Sequence, residues 1–120
     1  MRFIQEFGYS VKAGQEEAHQ KWLIANEEKF AAAHPKGTKY MGTFSVVVSS
    51  EKQAGFYKSF IELDSYGALD ALAAAAKDGK SQFGKLLRDS SKFADYDWNA
   101  PWSSGLYKAV VDATVFDPPS

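Results

Sequence analysis

The stretch Tyr9-Ser10-Val11-Lys12-Ala13-Gly14-Gln15-Glu16-Glu17-Ala18 decides the fold, because the pattern of the chain changes within it. Residues 2–11 alternate large apolar side chains with other residues, which predicts a β-strand. Lys12-Ala13-Gly14 breaks that alternation, and Gln15-Glu16-Glu17 then places carboxylates where the positive end of a helix dipole favours them. Apolar residues recur from there with a period of 3.6, so we expect a helix over residues 15–33.

A β-hairpin is predicted after this helix. His34-Pro35-Lys36-Gly37 ends the helix, because Pro35 cannot continue its hydrogen-bond ladder and Gly37 accepts turn angles closed to other residues. Period-two alternation returns over residues 38–49 and again over 56–63. The polar residues between them are typical of a hairpin connection, so we expect two antiparallel strands.

The second half of the chain repeats the order helix then strand. Asp64 and Ser65 offer N-cap chemistry for an alanine-rich helix that closes at Gly79. An amphipathic stretch from Phe83 to Phe93 predicts either a short extra helix or a bent continuation. Residues 95–105 have no period and carry three large aromatic side chains, which indicates a structured loop, and residues 106–116 alternate as a last strand.

The order βαββ(α)αβ predicts the α+β class. We expect one ferredoxin-like domain over residues 1–120, in which a four-stranded antiparallel sheet carries its helices on one side. Right-handed crossovers then place the first and third strands at the centre of the sheet.

The two faces of the predicted sheet are both partly apolar. We expect the helices to cover the face formed by Phe3, Phe7, Tyr9, Tyr40, Phe44, Val46, Phe56, Phe60, Tyr107 and Val111. The opposite face then mixes Ile4, Met41, Val47, Tyr57, Ile61, Leu63, Val110 and Phe116 with Glu6, Thr43, Ser59, Lys108 and Asp112. A bare sheet with so many apolar groups invites association, so we predict a homodimer that packs sheet on sheet.

Composition argues against several classes of function. Fourteen basic and fifteen acidic residues give a net charge of -1 with no basic stripe, so we expect no nucleic-acid partner. The chain has no cysteine, which excludes disulfides and thiolate chemistry. It lacks signal-peptide features and any apolar run near the ~20 residues of a membrane span, so a cytoplasmic protein without membrane contact is predicted. No nucleotide-binding or familiar hydrolase motif occurs.

In topology, and in the stretch Tyr9–Ala18, the chain resembles the dimeric α+β barrel superfamily. That stretch looks like the strand end, V-K-x-G turn and acidic helix start common among such proteins, including antibiotic-biosynthesis-monooxygenase-like and NIPSNAP-like ones. The resemblance implies paired subunits whose sheets form a shared barrel with the helices outside. Its members include cofactor-free monooxygenases, haem-binding or haem-degrading enzymes and isomerases, and none of their catalytic motifs transfers residue by residue.

Polar residues of the first helix provide the main candidate site. Relative to Trp22, Asn26 and His19 lie about 40° and about 60° around the helix, on the arc expected to face the sheet. The three could line a cavity between helix and sheet, where His19 would be the candidate general acid or base. The alternative is that Asn26 and His19 are polar groups at the edge of the core, satisfied by backbone or water.

Aromatic residues supply further candidates. Tyr40 and Tyr57, like Tyr9 and Tyr107, could donate phenolic hydrogen bonds to a small hydrophobic or aromatic ligand, although core packing explains tyrosines on strands equally well. Trp98 and Trp102 could form a lid over a pocket, a contact between subunits or a loop pinned to the core.

The sequence favours no metal or cofactor. His34 adjoins Pro35 in a turn and is expected to be solvated, and two histidines fifteen positions apart form a weak metal pattern. Haem would need one inward axial histidine, which His19 could be, but nothing else favours haem.

Two functions therefore stay open. One is a small-molecule-binding protein or cofactor-independent, monooxygenase-like enzyme that uses the cavity beneath the first helix. The other is a non-catalytic dimeric module with a structural or regulatory role.

Overall fold

The computed structural model describes residues 2–50, 56–97 and 99–111. Its elements in chain order are β1 (Phe3–Tyr9), α1 (Glu16–Ala33), β2 (Thr38–Ser45), β3 (Tyr57–Leu63), α2 (Ala68–Lys77), α3 (Gln82–Ser91) and β4 (Ser103–Lys108). The four strands form one sheet in the order β2-β3-β1-β4, and every neighbouring pair is antiparallel. The predicted α+β class, with the first and third strands at the centre, is confirmed.

Local chemistry explains where the helices begin and end. α1 ends at Ala33 before Pro35, and the turn into β2 passes through Gly37, whose φ of 88° suits glycine. α2 begins at Ala68, later than predicted, because the residues from Ser65 form a turn in which the Ala68 N–H donates to the Ser65 carbonyl. The stretch after Gly79 is a separate helix, α3, whose N-cap Ser81 accepts a hydrogen bond from the Gly84 N–H.

The face prediction is right for β1 and wrong for β3. The register pairs Phe3 with Leu63 and places Ile61 and Tyr57 on the side that carries the helices, whereas Phe60 faces the other way. β3 has apolar side chains on both faces, so hydrophobicity alone does not select which face is buried. Tyr107 of β4 also lies opposite to its predicted face, since its hydroxyl donates to Glu6.

A β-bulge in β2 reverses the predicted alternation there. Tyr40 pairs with Ile61 but Gly42 pairs with Phe60, so Met41 is an extra residue on this strand. Gly42 has a φ of 122°, a conformation that L side chains rarely adopt. Beyond the bulge, the next residue, Thr43, joins Tyr40 on the helix side.

β2 ends earlier than predicted, and β4 begins earlier than predicted. β2 ends at Ser45 rather than Ser49, and β4 occupies 103–108 rather than 106–116, so the predicted aromatic loop loses its last three residues to the strand. The predicted strand residues 112–116 lie outside the described residues.

The core lies between the sheet and the helices in two clusters. The first comprises Phe3, Ile61, Leu63, Ala68, Leu72 and Phe83, and the second comprises Val11, Trp22, Leu86 and Phe93. Phe30 and Ala33 of α1 pack against both clusters, so α1 connects them. Within the described ranges, no helix is long and apolar enough to cross a membrane.

The sheet face opposite the helices, here called the open sheet face, is formed by Ile4, Glu6, Phe44, Lys58, Phe60 and Tyr107. Phe44 and Tyr107 are 54% and 52% exposed, and the Phe44 ring packs edge-on against Phe60 with centroids 5.8 Å apart. Between these rings, Glu6 forms an ion pair with Lys58 and accepts a 2.7 Å hydrogen bond from Tyr107. The face therefore combines exposed apolar groups with a sheltered charge pair.

Candidate functional site

A cavity of about 660 Å³ lies between the sheet and the three helices. This volume is within the range of small-molecule sites, roughly 300–1,000 Å³. Its apolar lining consists of Phe7, Trp22, Leu23, Phe30, Ile61, Leu69, Leu72, Ala73, Ala76, Phe83, Leu87 and Ala94. The polar or amphipathic lining consists of Gln5, Tyr9, His19, Tyr40, Thr43, Ser59, Asp70, Ser90, Ser91, Tyr96 and Ser104. Among the described residues that line the cavity there is no lysine or arginine, and Asp70 contributes a carboxylate, so the lining disfavours an anion and suits a mainly apolar molecule.

His19 and Tyr9 form a hydrogen-bonded pair of titratable side chains in the cavity wall. The Tyr9 hydroxyl and His19 Nε2 share a hydrogen bond of 2.7 Å, and its donor depends on the tautomer of the imidazole. His19 is 3% exposed, and its ring lies edge-on against Tyr57 and Phe93, with centroids 4.8 and 5.9 Å away. Burial lowers the pKa of His19 below its ordinary value, so the imidazole is neutral near neutral pH and can accept a proton.

The phenol of Tyr9 stays protonated under the same conditions. Burial raises the pKa of Tyr9 to about 12, while hydrogen bonding with Ser59 acts in the opposite direction. A protonated phenol both donates and accepts hydrogen bonds. Tyr9 can therefore either donate to or accept from His19 Nε2 without itself carrying charge at rest.

A second polar feature, here called the hydroxyl series, crosses β2 and β3 through Tyr40, Thr43 and Ser59. The Tyr40 hydroxyl donates to Glu27 Oε2 across 2.8 Å and lies 2.5 Å from Thr43 Oγ1, which lies 2.7 Å from Ser59 Oγ. Burial raises the pKa of Tyr40 well above its ordinary value, so it too is a neutral hydroxyl. The series connects the cavity with Glu27 on α1.

Among the predicted residues of α1, the structure brings His19 and Trp22 to the cavity but not Asn26. The Asn26 side chain donates to the Trp22 carbonyl across 3.0 Å, one turn back along the helix. The Trp22 indole N–H donates to Asp89 of α3 across 2.6 Å, so Trp22 presents only its ring to the cavity. Asn26 is satisfied by backbone, which is the alternative that the sequence left open.

The predicted aromatic residues divide in the same way. Tyr40 lines the cavity, whereas Tyr57 stands behind it with its ring stacked on Tyr9 at 5.9 Å. Trp102 is 68% exposed and outside the cavity lining, and Trp98 lies outside the described residues. Tyr107 belongs to the open sheet face.

The expectation that His34 is solvated is wrong. Its ring packs against the rings of Phe30, Tyr40 and Phe83, with centroids 4.8, 5.4 and 4.7 Å away. Its Nδ1 donates to the Phe30 carbonyl across 2.7 Å, and burial lowers its pKa. The turn at Pro35 folds this residue back onto the core. In the described part of the chain, no group of three or more metal-ligating side chains occurs.

Sequence reasoning missed Thr43, Ser59 and Glu27 as members of the site. Thr43 and Ser59 were assigned to the open sheet face, because the bulge in β2 and the choice of face in β3 were not apparent from alternation. A glycine inside a strand, as at Gly42, is a known signal of a bulge and could have corrected the first assignment.

Comparison with known proteins shows the fold. No protein-family model matches the chain, and no curated protein matches it in sequence. The chain is similar to a NIPSNAP family protein from Agrobacterium tumefaciens, with 10% identity, 98% of each chain covered and a TM-score of 0.63. It is also similar to a dabb family protein with a ferredoxin-like fold from Mesorhizobium loti, with 9% identity, 92% of this chain and 98% of that chain covered and a TM-score of 0.62.

A third similar structure is SnoaB, a cofactor-independent oxygenase from Streptomyces nogalater, with 14% identity, 97% of this chain and 98% of that chain covered and a TM-score of 0.53. Together these structures confirm the ferredoxin-like fold, and a NIPSNAP protein, the kind that the sequence resembles, is among them. At such low identity the likeness concerns fold alone.

Proposed function

We propose that the protein binds a small, uncharged, hydrophobic or aromatic molecule in the cavity beneath α1, and that His19 exchanges a proton with it. The observation that carries this proposal is the buried His19–Tyr9 pair in the wall of a cavity of about 660 Å³. Apolar walls bind the body of the ligand, and a few polar groups orient it. A neutral imidazole in such a wall is suited to general acid–base chemistry.

The reaction class that fits this arrangement is cofactor-independent conversion of the bound molecule, monooxygenase-like in kind. The fold shared with a cofactor-independent oxygenase supports this part of the proposal. The role of His19 would be to remove a proton from a hydroxyl or an activated carbon of the ligand. The cytoplasmic location predicted from the sequence stays a prediction.

Binding can be tested with 2-naphthol, an uncharged aromatic molecule with one hydroxyl, and with native mass spectrometry of freshly purified protein for any retained molecule. Ala73 lines the cavity and Ala74, on the same helix, does not. We expect Ala73→Trp to weaken naphthol binding at least about tenfold, equal to 1.4 kcal/mol, and Ala74→Trp to leave it unchanged. Absence of both naphthol binding and a retained molecule, or equal affinity in the two variants, would refute the proposed site.

The role of His19 needs a separate test. We expect His19→Gln to weaken naphthol binding by about five- to tenfold, the value of one net hydrogen bond, and to abolish turnover of any retained molecule once it is identified. Unchanged binding and turnover in His19→Gln would remove the acid–base role but not the cavity as a binding site.

The open sheet face favours a second property, association into a homodimer. Phe44 and Tyr107 leave about half of their surfaces exposed on it, and the resemblance stated above implies sheets that pack together. We propose that a second copy covers this face, as in a dimeric module with or without catalysis. Light scattering should give a dimer for the wild type and a monomer for Phe44→Glu, and a wild-type monomer at micromolar concentration would refute it.

A further inference from the structure

The side chain of Gln5 carries a hydrogen-bond acceptor that no described residue uses. Its Nε2 donates to the Glu6 carbonyl and to Ser104 Oγ, across 3.0 Å in each case. A backbone carbonyl only accepts hydrogen bonds, so the amide atom that faces it must be the nitrogen. The other amide atom, Oε1, then accepts no hydrogen bond from any residue in the described ranges.

This acceptor is reached from the cavity. Gln5 is only 6% exposed and belongs to the cavity lining, and its unpartnered Oε1 still keeps accessible surface. Because Nε2 points to Ser104 on β4, Oε1 lies on the other side of the planar amide and points away from β4. A ligand that fills the cavity must therefore supply a donor to Gln5 or leave a buried acceptor unpaired, which weakens binding.

Ser104 adds a donor beside this acceptor. The register pairs Phe7 with Ser104, so Ser104 lies on the cavity side of β4, diagonal to Gln5. Its hydroxyl accepts from Gln5 and makes no other hydrogen bond within the described part of the chain, so its own proton is left to be donated. A hydroxyl group of a ligand both donates and accepts, and it can therefore bind Gln5 Oε1 and Ser104 Oγ together.

The distance from Gln5 to the His19–Tyr9 pair sets the length of a ligand that reaches both. Gln5, Phe7 and Tyr9 alternate along the face of β1 that carries the helices, and all three line the cavity. The Gln5 and Tyr9 backbones are about 13 Å apart along the strand, and their side chains stand roughly perpendicular to the sheet. Two hydrogen bonds of about 2.8 Å each then leave about 7–8 Å between the two polar groups of the ligand. This is roughly the length of two fused aromatic rings.

We propose that Gln5 and Ser104 form a second polar subsite of the cavity, which selects a ligand with a hydroxyl group at each end of a flat apolar body. The proposal rests on the proposed function, because it concerns the ligand of the same cavity. One hydroxyl hydrogen-bonds with the His19–Tyr9 pair, the apolar body covers Phe7, which is 40% exposed, and the other hydroxyl donates to Gln5 Oε1. A carboxylate at the second end is disfavoured, because it has no proton to donate to Oε1.

Two isomeric diols test this subsite in the wild-type protein. Naphthalene-2,6-diol has its hydroxyls at opposite ends of the ring system, and naphthalene-2,3-diol has both at one end. The isomers share composition and two-fold symmetry, so a difference in affinity reports the position of the second hydroxyl. We expect isothermal titration calorimetry to show about five- to tenfold tighter binding of the 2,6-isomer, the value of one net hydrogen bond.

Variants then assign this preference to the subsite. Gln5→Met keeps the length of the side chain but removes the acceptor, so it should abolish the preference for the 2,6-isomer without weakening 2-naphthol binding. Gln82→Met is the matched control, because Gln82 is exposed on α3 and outside the cavity lining, and it should keep the preference. Ser104→Ala changes a more exposed position and should lower the preference by about twofold or more.

The proposal is supported if the preference for the 2,6-isomer is lost in Gln5→Met and kept in Gln82→Met. It is overturned if the wild type binds both diols equally, or if Gln5→Met keeps as strong a preference as Gln82→Met. Binding of 2-naphthol with no preference between the diols would remove the second subsite and leave the proposed function standing. Absence of binding for all three molecules would overturn both.

Discussion

The ion pair of the open sheet face leads to a quantitative prediction for Lys58→Met. The Glu6 and Lys58 side chains are 8% and 12% exposed, although they lie on a face that no helix covers. Methionine keeps the apolar stem of lysine but leaves the Glu6 carboxylate without its cationic partner. Removing one partner of a buried pair costs about 3–5 kcal/mol, and we take the lower end, about 3 kcal/mol, because solvent can approach this face.

The pH dependence of this loss follows from the pKa of Glu6. The hydrogen bond from Lys58 lowers the pKa of Glu6 in the folded wild type. The pair therefore stabilises the fold fully above pH about 4.3, the pKa of this side chain in the unfolded chain. That stability is lost as the pH falls through the lower pKa of the folded state. In Lys58→Met, burial raises the pKa of Glu6, and the smaller effect of the hydrogen bond from Tyr107 opposes it. The variant then takes up a proton first, and its deficit should shrink between about pH 7 and about pH 4.

The assay is urea denaturation of both proteins at one fixed concentration, since association would add to stability. Lys21→Met is the control, because Lys21 and Glu17 form an ion pair on α1 with side chains 74% and 82% exposed, and this pair should contribute only about 0.5 kcal/mol or less. The reasoning is refuted if Lys58→Met loses less than about 1 kcal/mol at pH 7, or if its deficit is the same at pH 4.

Two other predictions concern the helices. Gly84→Ala should lower the free energy of unfolding by about 1–3 kcal/mol, because the new Cβ would lie 2.2 Å from the Asp78 carbonyl oxygen. Gly67→Ala should raise the free energy of unfolding by about 0.4–1 kcal/mol, because Gly67 has a helical φ and the new Cβ would have no neighbour nearer than 3.9 Å. Equal melting temperatures for the two would contradict this. In the wild type, the hydrogen bond from the Trp22 indole N–H lowers the pKa of the exposed Asp89 carboxyl. Asp89→Asn weakens this hydrogen bond and should lower the free energy of unfolding by about 0.5–1 kcal/mol at pH 7. That cost should vanish as pH falls below about 4, where the wild type loses the same contribution, and a constant difference in urea melts at pH 7 and pH 3 would exclude the mechanism.

The sequence predicted the parts of the fold in which one face is clearly more apolar than the other. α1 is an example, since Trp22 and Phe30 recur at helical spacing and both pack inward. β3 is the opposite case, because Phe60 and Ile61 are adjacent and equally apolar, and only pairing with β1 determines which of them is buried. Such pairing is a long-range property that alternation within one strand does not contain.

The candidate site was predictable only where it lies on α1. His19 follows from the angular position of one residue relative to Trp22, and the structure places it in the cavity wall. Thr43 and Ser59 required knowledge of the register in β2 and β3. The burial of His34 was not predicted, because Pro35 indicates a turn but not its direction. The local sequence does not distinguish a turn that packs onto Phe83 from one that faces solvent.

The extra residue of the β2 bulge has a consequence for how this strand can change in length. Because Tyr40 and Gly42 pair with successive residues of β3, deletion of Met41 would leave every other pair in place and give a regular ladder. Between Thr43 and Ser45 every residue is paired, so no extra residue is present there. Deletion of Phe44 would therefore shift the register between the end of β2 and β3. A homologous chain that lacks a residue at Met41 would thus keep both Tyr40 and Thr43 in the cavity wall. An alignment gap at this position would leave the rest of the strand pairing unchanged.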